Sequence, residues 1–195
     1  MYVLDLWRCV PKRNAQVILL NGVGSAGKSS IARALQDITR EPFLHVEMDA
    51  FLDMLPARSF DTPEGLTYRA SSVDGHAVVD IETGELAALT LQGMRRAVSA
   101  MADVGLDLIV DDVAGADDIG EYRTLLRGHR LRVVGVMASL PTLESRERQR
   151  GDRAVGLARA QFPVVHRGIE YDLVIDTDAR SAEQCAVQIA HDLGL

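Results

Sequence analysis

The chain has 195 residues, of which 47% are hydrophobic and 25% charged, a balance typical of one globular domain with a sizeable core. A formal net charge of −7 argues against a nucleic-acid groove, and the N-terminal stretch is too short and interrupted for a signal peptide or membrane span. Cys9 and Cys185 lack metal-ligand spacing. We therefore expect a single cytoplasmic domain over 1–195, with reduced thiols, an N-terminal extension over 1–15, and no nucleic-acid or membrane partner.

An apolar run over residues 16–21 predicts a first strand, and a helical pattern begins near Lys28 and continues to about Arg40. The stretch between them matches G-x-x-x-x-G-K-[ST], in the strand-to-helix context that a phosphate-binding loop requires. Its glycines allow backbone N–H groups to surround a nucleotide phosphate, and the positive end of the helix dipole faces the same anion. The predicted nucleotide-binding residues are Gly22, Gly24, Ser25, Ala26, Gly27, Lys28, Ser29 and Ser30.

Two side chains of this loop carry specific chemistry. Lys28 can reach the β- and γ-phosphates of ATP, and the Ser29 hydroxyl can ligate Mg²⁺. The alternative is a glycine-rich turn that holds a lysine by chance. Only Lys12 and Lys28 are lysines among the 21 Lys and Arg residues, so chance is a poor explanation for a lysine at this position. The sequence therefore predicts that the loop binds the phosphates of a nucleotide together with Mg²⁺.

A second strand is predicted over 43–47 and a short helix over 50–55, with Asp49 between them. One carboxylate beside the γ-phosphate is enough to take a proton from an acceptor hydroxyl, so Asp49 is the candidate general base. A helix N-cap is the competing interpretation of the same residue, and Glu47 and Asp53 are rivals for the role of base.

The next stretch, residues 57–82, is predicted to be irregular apart from a hairpin around Asp74-Gly75. We expect it to form an acceptor-binding insertion. A long amphipathic helix is predicted over 85–104 and a third strand over 106–110.

The third strand leads into two acidic residues, Asp111 and Asp112. An acidic residue in this position supports Mg²⁺ in kinases that have a phosphate-binding loop. Because side chains alternate along a strand, only one of the pair is expected to face the metal. We favour Asp111 and leave Asp112 open, and a solvated strand end is the alternative for both.

The remaining predicted elements are helix 117–127, strand 131–138, a helix from Pro141, strand 171–176 and helix 181–193. Strands that alternate with helices predict an α/β fold of the P-loop kinase type, with a five-stranded parallel sheet and helices on both of its faces. Ligands of such folds bind beyond the C-terminal ends of the strands. The phosphate loop, Asp49 and Asp111 are all expected at that rim.

Arginines cluster in the helix that begins near residue 141. Helical spacing places Arg146, Arg150 and Arg153 roughly on one face, and guanidinium groups suit phosphate because they donate paired hydrogen bonds and keep their charge. A Gly-Asp break between Arg150 and Arg153 favours a mobile lid over residues 141–162 that brings arginines to the transferred phosphoryl group. The alternative is an exposed helix whose arginines pair with neighbouring glutamates. The five histidines show no metal-ligand spacing, and each is interpreted as exposed or satisfied.

With these residues in place, the chain resembles the chloramphenicol phosphotransferase family of P-loop kinases from about Val17 to its C-terminus. Many nucleotide-binding proteins share the phosphate loop, whereas an Arg-Gly-Asp-Arg stretch followed by a His-x-Gly-x-Glu-Tyr-Asp stretch is far more specific. The matching stretches are 18–22, 25–29, 41–44, 48–49, 54–56, 109–113, 150–153, 164–166 and 168–172.

The resemblance implies ATP-dependent phosphorylation of a primary hydroxyl on an antibiotic-like small molecule. Asp49 matches the catalytic aspartate of the family, and Arg150 and Arg153 match its lid arginines. Two positions depart from the family pattern: Gly24 stands where members have serine, and Ala114-Gly115 stand where members carry bulkier residues. The departures favour a roomier or differently shaped acceptor.

Two other functions remain open at this point. One is a kinase of nucleosides, shikimate-like metabolites or nucleotide sugars, although few cations accompany Phe60, Leu66 and Tyr68 in the expected acceptor segment, which disfavours a phosphorylated acceptor. The other is a nucleotide-binding sensor module without kinase activity, which a candidate base and lid arginines disfavour. The sequence does not decide between ATP and GTP, and an oligomer is possible.

Overall fold

The computed structural model describes residues 14–151 and 154–195. Most of the predicted extension, with Cys9, and the predicted lid arginine Arg153 therefore lie outside the described residues. The strands are β1 Gln16–Asn21, β2 Phe43–Glu47, β3 Leu66–Val73, β4 His76–Thr83, β5 Asp107–Asp112, β6 Arg130–Met137 and β7 Leu173–Asp176. The helices are α1 Lys28–Ile38, α2 Met48–Leu52, α3 Glu85–Asp103, α4 Ala116–Leu125, α5 Leu140–Arg150, α6 Leu157–Gln161 and α7 Ala182–Leu193.

Five strands form one parallel sheet in the order β2-β5-β1-β6-β7, which confirms the predicted sheet. The central strand β1 is buried at every position after Gln16, because both faces of a parallel sheet are covered by crossover helices. Its sequence is accordingly a continuous apolar run that ends in a polar residue, Asn21.

Hydrophobic side chains pack on both faces of the sheet. On one face, Ile31 and Leu35 of α1 pack with Ile189 of α7. On the other face, Met94 of α3 and Tyr122 of α4 belong to a second buried cluster. The result is the predicted three-layer arrangement, with a central sheet between two layers of helices. None of the helices among the described residues is long and apolar enough to cross a membrane.

The strand register fixes the rim where the functional residues meet. Asn21 at the end of β1 is the Cα partner of Asp112, and Glu47 at the end of β2 is the Cα partner of Asp111. Because these strands are parallel, their C-terminal ends lie along one edge of the sheet. The loop after β1 and the helix after β2 therefore start from neighbouring points.

The predicted hairpin around Asp74-Gly75 is confirmed, but residues 57–82 are more regular than predicted. After a short 3₁₀ turn at Ala57–Ser59, β3 and β4 form an antiparallel hairpin, and the predicted turn at Asp74-Gly75 connects them. Apolar and polar residues alternate along part of both strands, and the register pairs Tyr68 with Ile81 and Ala70 with Val79 on one face, although most side chains of β3 and β4 are exposed. The hairpin docks through β4, where the Val79 N–H donates to the carbonyl oxygen of Gly156 at 3.1 Å.

Gly22 allows the phosphate loop to lie directly against β6. A Cβ at this position would lie 2.4 Å from the carbonyl oxygen of Val136, and backbone cannot move aside as a flexible side chain can. We expect Gly22→Ala to lower the free energy of unfolding by about 1–3 kcal/mol and to weaken nucleotide binding, because the loop must shift. Urea denaturation and nucleotide titration measure the two effects.

Gly93→Ala is the matched control for this substitution. Gly93 lies within α3, where an added Cβ meets nothing within 4 Å, so alanine should instead stabilise the helix by about 0.5–1 kcal/mol. Equal stability of the two variants would contradict the close approach of Gly22 to β6.

Candidate active site

The loop between β1 and α1 has the backbone and the unsatisfied polar atom expected of a phosphate-binding site. Ser25 has φ 65°, a left-handed conformation that is uncommon for a residue with a side chain, and Gly27 has φ 98°. The Ser25 hydroxyl oxygen is buried and has no hydrogen-bond partner among residues 14–151 and 154–195. A phosphate oxygen is an acceptor that would satisfy this hydroxyl, so the loop fits a nucleotide phosphate.

Lys28, Ser29 and Asp111 meet where α1 begins. The Lys28 ammonium group is buried and donates to the carbonyl oxygens of Gly22 at 2.9 Å and Val23 at 3.2 Å. It also lies 3.6 Å from Asp111 Oδ1, while the Ser29 hydroxyl donates to Asp111 Oδ2 at 2.5 Å. A hydroxyl and a carboxylate oxygen this close form a donor set that suits Mg²⁺.

Asp112 points the opposite way from Asp111, into the core between the sheet and α4. The Tyr122 hydroxyl donates to one of its oxygens at 2.9 Å, and the Val113 N–H donates to the other at 2.7 Å. Burial raises the pKa of Asp112 to about 6, against the opposing effect of these two hydrogen bonds. The alternation along β5 thus gives the two aspartates different environments, and only Asp111 faces the phosphate loop.

The raised pKa of Asp112 has a consequence for stability. Between pH 3.8, the ordinary pKa of an aspartate, and about pH 6, the Asp112 carboxyl holds its proton more tightly in the folded chain than in the unfolded chain. Stability therefore falls as pH rises through that window, by about 3 kcal/mol once the carboxyl is fully ionised in both states. The asparagine side chain of Asp112→Asn is neutral at every pH. Between pH 4 and pH 8 we therefore expect the free energy of unfolding of the variant, relative to that of wild type, to rise by most of this amount.

Urea denaturation of both proteins across this pH range tests the prediction. The control is Asp74→Asn, because Asp74 is exposed in the hairpin turn with φ 51°, a conformation that asparagine also tolerates. Parallel pH profiles for Asp112→Asn and wild type would show that the Asp112 carboxyl does not ionise differently in the folded state.

Asp49 lies in the first turn of α2, two residues beyond the end of β2, and it is exposed. The helix starts earlier than predicted, at Met48, so Glu47 occupies the N-cap position and the N-cap interpretation of Asp49 is wrong. Asp53, the other rival for the role of base, is the C-cap residue one turn further along. Asp49 thus extends from the same edge of the sheet as Asp111.

The sequence interpretation of His45 as an exposed or satisfied residue is wrong. Its side chain is only 10% exposed, its Nδ1 lies 3.5 Å from Glu47 Oε1, and its Nε2 lies 3.9 Å from Asp111 Oδ2. Burial lowers the pKa of His45, and the two carboxylates oppose that shift. The available signal was strand periodicity, since residues two apart on β2 share a face and β5 is the neighbouring strand.

A cavity of about 450 Å³ opens beside the phosphate loop, between α5 and the start of α7. Arg146 and Arg150, which their helical spacing predicted to share one face of the helix, both line this cavity. Arg146 is fixed by the backbone, because its guanidinium donates to the Thr177 carbonyl oxygen at 2.7 Å and the Ala26 carbonyl oxygen at 3.4 Å. Arg150, in the last turn of α5, is exposed. The full lining comprises Ser25, Ala26, Gly27, Ser30, Ile31, Arg146, Gln149, Arg150, Thr177, Arg180, Ser181, Ala182 and Cys185.

The predicted lid is divided into two helices with different environments. Helix α5 ends at Arg150, and its C-cap residue Gly151 has φ 68°, which is where the Gly-Asp break was predicted. Glu147 of α5 is buried and accepts from the N–H groups of Gly156 and Ala158, both at 2.8 Å, so it anchors the start of α6 and is not a surface partner of the arginines. From the end of α6, Gln161 Oε1 accepts from the Gly24 N–H at 2.8 Å. Sequence reasoning did not find either contact.

The His-x-Gly-x-Glu-Tyr-Asp stretch reaches the end of β1 through a hydrogen-bonded chain. The Tyr171 hydroxyl lies 2.7 Å from His166 Nδ1 and accepts from Asn21 Nδ2 at 3.0 Å. Burial and the nearby Lys28 charge both lower the pKa of His166. Asn21 also pairs with both backbone groups of buried Ala114, so Ala114 contributes to the core rather than to an acceptor pocket.

The fold and this rim define the class of protein. A parallel sheet with a phosphate loop after its central strand, a buried lysine and an aspartate beside the loop serine is the architecture of a P-loop kinase that acts on small molecules. The chain belongs to the chloramphenicol phosphotransferase-like family, whose model, described as "Chloramphenicol phosphotransferase-like protein", matches residues 15–194.

Individual relatives agree with this assignment. A protein of Mycobacterium tuberculosis with the name "Putative O-phosphotransferase Rv2636" is 33% identical over 180 residues, which cover 89% of this chain and 80% of that protein. Two solved structures share the fold. The APS kinase CysC of M. tuberculosis, in complex with AMPPNP and APS, has a TM-score of 0.64 at 16% identity and covers 93% of this chain and 99% of its own. Shikimate kinase from Acinetobacter baumannii, in complex with shikimate, has a TM-score of 0.59 at 15% identity and covers 92% and 94%.

Proposed function

We propose that this kinase transfers the γ-phosphoryl group of ATP to a hydroxyl group of an antibiotic-like small molecule, with Asp49 as the general base. The observation that carries the proposal is that Lys28, Ser29 and Asp111 meet beside the phosphate loop, while α2, whose first turn carries Asp49, follows the neighbouring strand β2. Phosphoryl transfer requires mainly positioning and neutralisation of charge, and these groups supply both.

Each group has a distinct role in the proposed reaction. The loop from Gly22 to Ser30 would bind the phosphates, with Lys28 at the β- and γ-phosphates, and the cavity under α5 would hold the nucleoside. Ser29 and Asp111 would hold Mg²⁺, which neutralises phosphate charge when bound. Asp49 would accept the proton of the acceptor hydroxyl. Arg150, in the last turn of α5, would donate to the transferred group, and Arg153, which lies outside the described residues, is the second arginine that the family resemblance assigns to this role.

The acceptor is proposed to bind between α2 and the hairpin. Leu66, one of the apolar residues expected to contact it, is instead buried in a small cluster with Leu55 and Ala87. Tyr68 is 41% exposed on β3, as contact with an acceptor would require. The assignment of the acceptor to the antibiotic class rests on the family. The hairpin of β3 and β4 is the element that would determine which acceptor shape fits.

The experiment that tests the proposal is a panel of hydroxylated antibiotics and metabolites, incubated with ATP and Mg²⁺ and examined by mass spectrometry. We expect the mass of one phosphoryl group to be added to a member of the antibiotic set. Modification of metabolites alone would replace the antibiotic assignment with that of a metabolite kinase. Accumulation of ADP without any modified compound would favour the nucleotide-dependent sensor or hydrolase.

A further inference from the structure

Three metal-ligating side chains meet beside the phosphate loop. His45 and Glu47 are two residues apart on β2 and share a face, and Asp111 on β5 is the Cα partner of Glu47. One ligand atom from each residue lies within 4.8 Å of the other two. Ligands that share a divalent ion at about 2.0–2.2 Å each must lie within about 4.4 Å of one another, so only a small closure is needed.

The imidazole of His45 provides a second, independent observation. Its side chain is nine-tenths buried, and its Nε2 atom has no hydrogen-bond partner within the part of the chain that the structure describes. Glu47 Oε1, 3.5 Å from Nδ1, favours a hydrogen on Nδ1 and so leaves the lone pair of Nε2 directed towards Asp111 Oδ2. The lone pair of Nε2 is therefore available to a metal ion.

Two cations already contact the cluster and would compete with a metal ion. Arg33 lies 3.3 Å from Glu47 Oε1, but its side chain is 66% exposed, and exposed ion pairs contribute only about 0–1 kcal/mol. Lys28 lies 3.6 Å from Asp111 Oδ1, whereas the oxygen that faces His45 is Oδ2. Neither cation therefore blocks the space between the imidazole and the two carboxylates.

We propose that His45, Glu47 and Asp111 form a divalent-cation site that binds a Zn²⁺- or Co²⁺-type ion in preference to Mg²⁺ and does not require nucleotide. Imidazole nitrogen is a good ligand for Zn²⁺ and Co²⁺, whereas Mg²⁺ selects oxygen ligands and retains its waters. Ser29 Oγ lies 2.5 Å from Asp111 Oδ2, so the ion would share Asp111 with the Mg²⁺ of the nucleotide complex. That last consequence, competition during phosphoryl transfer, rests on the proposed function.

Co²⁺ is the probe for this site, because its visible absorption reports the ligands that surround it. The full chain without nucleotide is titrated with Co²⁺, and Zn²⁺ and Mg²⁺ are then added as competitors. We expect one Co²⁺ per chain, displaced by Zn²⁺ and not displaced by a hundredfold excess of Mg²⁺. His45→Ala should weaken Co²⁺ binding at least tenfold, and His191→Ala should not change it, since the side chain of His191 is 85% exposed near the C-terminus.

Glu47→Gln is the second variant, because it keeps the size of the side chain and should also weaken binding while circular dichroism remains that of wild type. The proposal is overturned if Co²⁺ does not bind without nucleotide, if Mg²⁺ displaces it, or if His45→Ala binds Co²⁺ as wild type does. Failure of the antibiotic panel would not affect the Co²⁺ titration, and failure of the titration would not affect the panel, so the two proposals are tested separately.

Discussion

Asp49→Asn is expected to leave nucleotide affinity unchanged and to lower the rate of acceptor phosphorylation by about 10²–10⁴-fold, the usual contribution of a positioned general base. Asparagine has nearly the same size but cannot accept the hydroxyl proton. Because Asp49 is exposed in the first turn of α2, the substitution opens no cavity in the core. Mass spectrometry of the modified acceptor measures turnover, and titration with a fluorescent nucleotide measures binding.

Asp53→Asn is the matched control for this prediction. Asp53 is also exposed, carries the same carboxyl group and lies one turn away at the end of α2. Turnover should remain close to wild type in this variant. Unchanged turnover in Asp49→Asn would remove Asp49 from the mechanism. Loss of turnover in Asp53→Asn alone would assign the role of general base to Asp53.

Asp111→Asn and Asp112→Asn should differ strongly although the residues are adjacent. Asp111 contacts Ser29 and Lys28, and we expect its loss to reduce turnover by at least about 10²-fold and to raise the Mg²⁺ concentration needed for half-maximal rate. Asp112 is held by Tyr122 on the opposite side of β5, so Asp112→Asn should retain turnover and Mg²⁺ dependence. Steady-state rates across a Mg²⁺ series measure both quantities.

The same pair of variants also identifies the residue that supports the metal. An unchanged Mg²⁺ requirement in Asp111→Asn would contradict the assignment of Ser29 and Asp111 to the ion. A raised requirement in Asp112→Asn would instead mean that the core carboxylate affects the metal. Circular dichroism at neutral pH distinguishes either result from loss of the fold.

The sheet and the position of the rim could be predicted because they depend on local patterns. Continuous apolar runs identified β1 and β5, and the phosphate-loop spacing fixed the turn after β1. The alternation of side chains predicted that only one of Asp111 and Asp112 faces the phosphate loop, and the structure places them on opposite sides of β5. These inferences needed only neighbouring residues and one general rule about parallel strands.

Features that depend on contacts between distant segments could not be predicted in the same way. The turn of the hairpin at Asp74-Gly75 could be predicted, but its docking through Val79 on Gly156 joins segments that are far apart in the chain. The proximity of His45 and Glu47 to Asp111, which lies on another strand, follows from the strand register. Glu147 resembles an ordinary surface glutamate until its contacts with Gly156 and Ala158 are known.

The short stretch 156–161 links the two sides of the molecule that would hold different ligands. At one end, Gly156 accepts the hydrogen bond from β4 of the hairpin, and at the other, Gln161 holds the Gly24 backbone of the phosphate loop. We therefore expect a displacement of either partner to shift the other through this one helical turn. Acceptor and nucleotide should for that reason bind with thermodynamic linkage, each changing the dissociation constant of the other by the same factor.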